Sequence, residues 1–317
     1  MFALRGIAVS LSVFAMVYCV LSIAMPFVLS AVQPRTRNHS VRRIADLLFA
    51  MRMFPLVTAG LITAVFAIPS FLLLEPRTIE EPLGGVPLVL GICGAALGIF
   101  GFANAGIAMR RASRAISTWT GEAQRVASST NLPILRIAPV VPAMTTAGIV
   151  RPRVLMSRAA ELMLGTNELH TALNHEIAHV RRRDNLKKLL LRFVAFPGMN
   201  DLENAWLEAT EMAADDAAVS SAAEALDLAS ALIKLSRLGP LEPHTELTTA
   251  LVHNPASAMN ARIERLIAWE DEPHVPSSNR LSGWHGLSVV LITLAIFALT
   301  YSRLLSDVHT ATEWLVR

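Results

Sequence analysis

Asn174-His175-Glu176-Ile177-Ala178-His179 is the stretch on which the reading of this chain turns. It lies in a helical pattern that starts near Thr166 or Asn167, either of which could cap it. The pattern runs from Glu168 through the apolar positions Leu169, Ala172, Leu173, Ile177 and Val180, and is expected to end at Gly198. Four residues is just over one helical turn, so the imidazoles of His175 and His179 project from one face. Two nitrogen ligands on a rigid face suit zinc, and Glu176, directly after the first, can serve a water there without ligating the metal.

Such a pair needs a third ligand. About thirty residues on, Trp206-Leu-Glu-Ala-Thr-Glu-Met-Ala-Ala-Asp-Asp is Ala-rich and helical, and places Glu211 and Asp215 on one face. Glu211 could complete a His, His, Glu set with water in the fourth position. Asp215 could then accept a hydrogen bond from the far nitrogen of a ligating histidine. Glu208, one turn earlier, is the alternative ligand and lacks an Asp four residues on. His253 is a candidate donor to an oxyanion, with an ordinary surface histidine as the plainer reading.

Outward from this site the chain is strongly apolar. Over its 317 residues 53% are hydrophobic and 17% charged, and mean hydropathy is +0.47. The apolar excess falls in blocks, which predicts spans at about 7–31, 53–74, 88–109 and 285–303. Arg35, Arg37, Arg42 and Arg43 gather between the first two spans, Glu75, Glu80 and Glu81 between the next two, and Arg110, Arg111 and Arg114 after the third. Arginine resists translocation, so 33–52 and 110–283 are expected on the cytoplasmic side of the cell membrane, with the N-terminus and the tail outside. A cleaved signal peptide is disfavoured because the first apolar run is too long. The expected organisation is a membrane region, 1–109, then a cytoplasmic peptidase domain, 110–283, then the fourth span with a short external tail, 284–317.

Residues 133–157, rich in Val, Ile, Pro and Thr, predict short strands or a hairpin. Gly91, Gly94, Gly98 and Gly101 share a helical face for close packing, either within the chain or in a homodimer. Arg181, Arg182 and Arg183 face either lipid headgroups or neighbouring carboxylates. Cys19 and Cys93, the only cysteines, lie in apolar blocks and indicate neither a disulfide nor a thiolate metal site. A net charge of +3 without a basic run interleaved with aromatics argues against nucleic-acid binding.

Other zinc-peptidase plans fit poorly. A metzincin requires Gly and His three and six residues after His179, where Arg182 and Asn185 stand. An intramembrane protease would hold the histidine pair inside an apolar span, not beside three arginines.

The stretches Met144-Thr-Thr-Ala-Gly-Ile-Val-Arg-Pro-Arg-Val-Leu, Ala172-Leu-Asn-His-Glu-Ile-Ala-His-Val-Arg-Arg-Arg-Asp-Asn, Glu211-Met-Ala-Ala-Asp and Ala261-Arg-Ile-Glu-Arg-Leu, with three spans before them and one after, resemble the BlaR/MecR-type integral-membrane zinc peptidases. HtpX-type peptidases share that core. The resemblance implies a four-span helical membrane protein with an inserted, mostly α, α+β gluzincin-type domain. It implies Zn2+ on His175, His179 and Glu211, and Glu176 as base and acid. It also makes Met144 to Ile149 an edge strand for an extended substrate, and the substrate a cytoplasmic protein such as a DNA-binding repressor. Antibiotic-sensing members continue into a large external domain, whereas about a dozen residues follow the last span here, so direct beta-lactam binding is not expected. The alternative within the same fold is a transducer that binds a repressor without cutting it.

Overall fold

In the computed structural model residues 2–32, 40–76, 84–121, 123–126, 132–137, 143–194, 196–238, 249–250, 256–269, 297 and 300–313 are described. Most of them are helical, and three helices are long and apolar enough to cross a membrane: Phe2–Val32, Val41–Leu74 and Gly85–Thr120, with 31, 34 and 36 residues. At 1.5 Å per residue each exceeds the roughly 30 Å of a bilayer core. The helices outrun the apolar blocks because Arg and Ala continue a helix as well as Leu does; the third carries Arg110, Arg111 and Arg114 within it. The expected fourth span lies outside the described residues except for 297 and 300–303, and His253 lies outside them too.

The chain divides into two compact units, one formed by Met1–Met25, Met53–Phe100 and Pro273–Arg317, the other by Pro26–Arg52 and Gly101–Glu272. The first unit holds most of α1 (Phe2–Val32), the end of α2 (Val41–Ile62), a π turn (Thr63–Ala67), α3 (Ile68–Leu74) and the start of α4 (Gly85–Thr120). Two of the striped glycines are used here. A Cβ on Gly91 would lie 2.9 Å from the Ala8 carbonyl oxygen, and one on Gly94 2.5 Å from that of Leu11, so α4 meets α1 backbone to backbone. Beside this contact Ser12 Oγ is 2.7 Å from the Pro87 carbonyl oxygen, satisfying a buried hydroxyl. Gly98 meets nothing within 4 Å.

The second unit carries a five-stranded sheet in the order β1 (Gln124–Val126), β2 (Ile134–Ile137), β4 (Arg153–Ser157), β3 (Met144–Ala147), β5 (Thr249–Ala250). β3 and β4 form the antiparallel hairpin, and β2 runs parallel to β4. Alternation sends Met144, Val154 and Met156 into the main core with Ala172, Leu228, Leu232 and Leu266. Leu155, Ala147 and Ile137 point the other way, onto Ile116 and Trp119 of α4. The core is completed by α5 (Arg158–Met163), α6 (Thr166–Arg182), α7 (Asp184–Phe193), α8 (Asn200–Ala218), α9 (Ala222–Ser236) and α10 (Ala256–Ile267).

Three expectations are corrected here. The helix after residue 166 does not continue to Gly198. It breaks at Arg183, a left-handed residue (φ 55°, ψ 40°), and α7 restarts at Asp184. Its cap is neither Thr166 nor Asn167 but Gly165, whose N–H donates to Glu168 Oε2 at 2.7 Å; the same carboxylate holds Lys234 of α9. β3 is not an open edge, because Thr145 and Thr146 pair with Ala250 and Thr249 as well as with β4.

Candidate metal centre

The tight packing of α8 against α6 sets the site. His175, Glu176 and His179 are fully or almost fully buried on α6, and α8 brings Glu211 and Asp215 to them, 8% and 1% exposed. A buried face with this many titratable groups persists only if each is compensated. Ala172 and Ala178 of α6 and Ala213 and Ala214 of α8 are buried as well.

The donor atoms converge. His175 Nε2 and His179 Nε2 are 3.1 Å apart, and Glu211 places Oε2 3.6 Å from the first and Oε1 3.7 Å from the second. The far nitrogens are held from outside: His175 Nδ1 lies 2.9 Å from Asp215 Oδ1, and His179 Nδ1 2.8 Å from Asp184 Oδ2. The His179–Asp184 hydrogen bond and the His175–Asp215 ion-pair contact fix the two rings so that both Nε2 atoms face inward. His175, His179 and Glu211 could therefore hold a metal ion. Glu208 is exposed and lines a separate apolar cleft with Leu29, Val41 and Leu48, away from this group.

Glu176 does not belong to the ligand set. Its Oε2 accepts from Thr146 Oγ1 at 2.6 Å, and its Oε1 is buried with no hydrogen-bond partner among the described residues. Burial raises its carboxyl above the ordinary value, against the pull of the His179 and His175 imidazoles and the Thr146 hydroxyl. Burial also disfavours a charged His175, but hydrogen bonds to Asp215 and Glu211 outweigh it and push the imidazole up to about 9. Burial opposes ionisation of Glu211, yet the two histidines and Arg262 bring it down to about 2.

Several residues here were given no role by the sequence reading, although Arg262, Asp184 and Asn185 lie in the stretches that carry the resemblance. Arg262 of α10 is 2% exposed. It grips Asp215 through Nε at 2.7 Å and Nη2 at 2.6 Å, and places Nη1 3.1 Å from Glu211 Oε2. Its signal was a lone Arg within the apolar stripe Met259, Ile263 and Leu266. Asp184 reaches His179 only because the backbone reverses at Arg183. Asn185 Nδ2 donates to the carbonyls of Thr146 at 3.1 Å and Gly148 at 3.2 Å, fastening β3 beside α6. Burial pushes the Lys188 ammonium below its ordinary value against the attraction of Glu211, Asp184 and Glu176, which places a cation near the cluster. Of the arginine run, Arg182 turns to Asp184 and Asp46 at 3.6 and 3.9 Å, while Arg181 and Arg183 are exposed.

A cleft of about 450 Å³ opens beside His179, walled by Thr146 and Gly148 to Val150 on one side and Arg183 to Leu186 on the other. No protein-family model and no curated protein matches the chain.

Proposed function

We propose that this chain is a membrane-anchored zinc endopeptidase of the gluzincin type. In this reading the second unit acts at the cytoplasmic face of the cell membrane on a regulatory protein such as a DNA-binding repressor. The observation that carries the proposal is the convergence of His175, His179 and Glu211 at separations of 3.1 to 3.7 Å beside a non-ligating Glu176. Ligands at the roughly 2.0–2.1 Å typical of zinc, placed tetrahedrally, stand about 3.4 Å from one another. His175, His179 and Glu211 would hold the ion, with Asp215 and Asp184 orienting the imidazoles. When bound, the zinc supplies Lewis acidity for water and for a scissile carbonyl.

The chain's own residues do the rest. Glu176, raised by burial and anchored through one oxygen by Thr146, accepts a proton at the other and returns it to the leaving amine. Arg262 keeps Glu211 and Asp215 ionised and in register. The cleft beside His179 admits substrate, with Ile149 and Val150 as an apolar lip. The Thr249–Ala250 pairing leaves substrate the stretch beyond Ala147, rather than the whole of β3, for backbone contact. Four spans, with arginine-rich loops inside, complete the topology.

Glu176→Gln tests the assignment. Proteolysis is expected to fall by 10²–10⁴-fold, the typical worth of a general acid–base group, with metal content unchanged. Undiminished cleavage of cellular proteins, mapped by their new N-termini, would return the chain to the non-cleaving transducer.

A further inference from the structure

Outside the α6–α8 site, one other group of side chains among the described residues brings metal-ligating atoms together. Glu75, at the end of α3, meets His309 and Glu313 of the helical stretch 300–313, with a ligand atom from each within 4.8 Å of the others. We propose that these three side chains form a second divalent-cation site, for zinc or a neighbouring first-row ion, that staples the 300–313 helix to the end of α3.

The local geometry has two sources. His309 and Glu313 are four apart on one helix and so share a face; His309 Nε2 lies 3.5 Å from Glu313 Oε1. Glu75 arrives from another element, where the backbone turns out of α3 into an extended conformation (φ −76°, ψ 126°). Its carboxylate is held at that point by Arg5, Nη1 to Oε1 at 3.1 Å, with both side chains about nine-tenths buried. That ion pair does not exhaust a carboxylate, which has two oxygens and about four acceptor sites.

Charge favours a dication. Two carboxylates and one guanidinium sum to minus one. An all-oxygen cluster would suit calcium or magnesium, whereas an imidazole nitrogen beside two carboxylates matches the borderline first-row ions. Water completes the coordination, because Glu313 is 46% exposed. That opening also makes the ion exchangeable, unlike one held on α6 and α8.

The consequence lies in the helix the site would fasten. Two turns earlier, Tyr301 donates its hydroxyl to the Val65 carbonyl at 2.9 Å. Val65 belongs to the π turn, where the regular backbone ladder is interrupted. Phe297 meets Phe66 edge to face and Tyr301 packs on it at a tilt. The cation site is eight residues further along, about 12 Å by helical rise. Occupied, it pins the far end of a helix whose near end the π turn already holds.

Full-length protein in lipid nanodiscs, titrated with zinc alone, tests this. Wild type is expected to bind two equivalents, the second at least tenfold more weakly. H309A/E313Q is expected to bind one, and E313Q alone to weaken the second about tenfold. Amide exchange across 303–313 should slow severalfold with zinc in wild type and in E211Q, but not in H309A/E313Q. Loss of the buried site would remove the other equivalent and leave this exchange effect intact. Zinc binding in wild type that is undiminished in H309A/E313Q, or exchange across 303–313 indifferent to zinc in wild type, overturns the proposal.

Discussion

His175 and His179 stand four residues apart on α6, as His309 and Glu313 do on the 300–313 helix, and each pair is met by a glutamate from elsewhere, Glu211 or Glu75. The donor atoms are similarly spaced, 3.1 to 3.7 Å in one group and 3.5 Å between the paired residues of the other. Their surroundings differ. In the buried group both far imidazole nitrogens face carboxylates, Arg262 neutralises the acids, and Glu176 stands beside the two histidines with one oxygen that has no partner among the described residues. In the other, Arg5 is the support given to Glu75, and Glu313 faces solvent. A ligand triad alone makes a place for an ion; the carboxylate partners and the adjacent Glu176 are what distinguish the first group, and the proposed hydrolysis rests on them.

The largest effect that would break the comparison comes from Glu211→Gln. It is expected to remove the tighter zinc equivalent, by more than the roughly 10–100-fold that outer-partner losses bring, while leaving the weaker one. Equilibrium dialysis against a chelator reads this, and equal loss of both equivalents would mean the two groups are not independent. Next is Asp184→Asn, which keeps the size of the side chain but removes the charge behind His179. Affinity at the buried group should fall by about 10–100-fold, with the far-ultraviolet circular dichroism unchanged. An unaltered affinity would show that the imidazole needs no carboxylate.

The smallest effect is pH dependence. Because His175 is raised to about 9, an ion taken up by the buried group is expected to displace a proton at neutral pH. Apparent affinity at the buried group should therefore climb with pH and level off above about 9, with about one proton released per ion in unbuffered titration at pH 7. Stability of the metal-free protein runs the opposite way on the alkaline side. A raised imidazole contributes fully below 6.5 and loses its contribution as pH rises through about 9. Glu211, lowered from 4.5 to about 2, contributes above 4.5 and loses its contribution as pH falls through about 2. Melting temperatures of the apo protein rising from pH 7 to 9 would contradict this charge arrangement.

Much of the buried group is legible in one dimension because its members sit on two helices at helical spacing. His175, Glu176 and His179 share one face, Glu211 and Asp215 another, and three apolar blocks correspond to helices of membrane-crossing length. Arg262 was not legible as a partner of Asp215, since nothing local connects residues 47 positions apart. Asp184 looked like part of a charged helix continuing toward Gly198. A left-handed Arg183, unfavourable for an L residue and without a glycine to advertise it, redirects the chain there. The edge-strand reading of β3 failed for a similar reason: its second neighbour, β5, comes from more than a hundred residues away.

The sequence by itself determined the periodicities: which segments are apolar enough for lipid, which side chains share a helical face, and which of those carry ligand atoms. Helix geometry is local, so i and i+4 meet wherever the helix lies. Tertiary structure alone decided which faces confront one another. It set α8 against α6 and slotted Arg262 under the acids. It brought Thr146 to Glu176, and Glu75 to His309. Those pairings depend on burial and on the entropy of closing long loops, which no short window of sequence records.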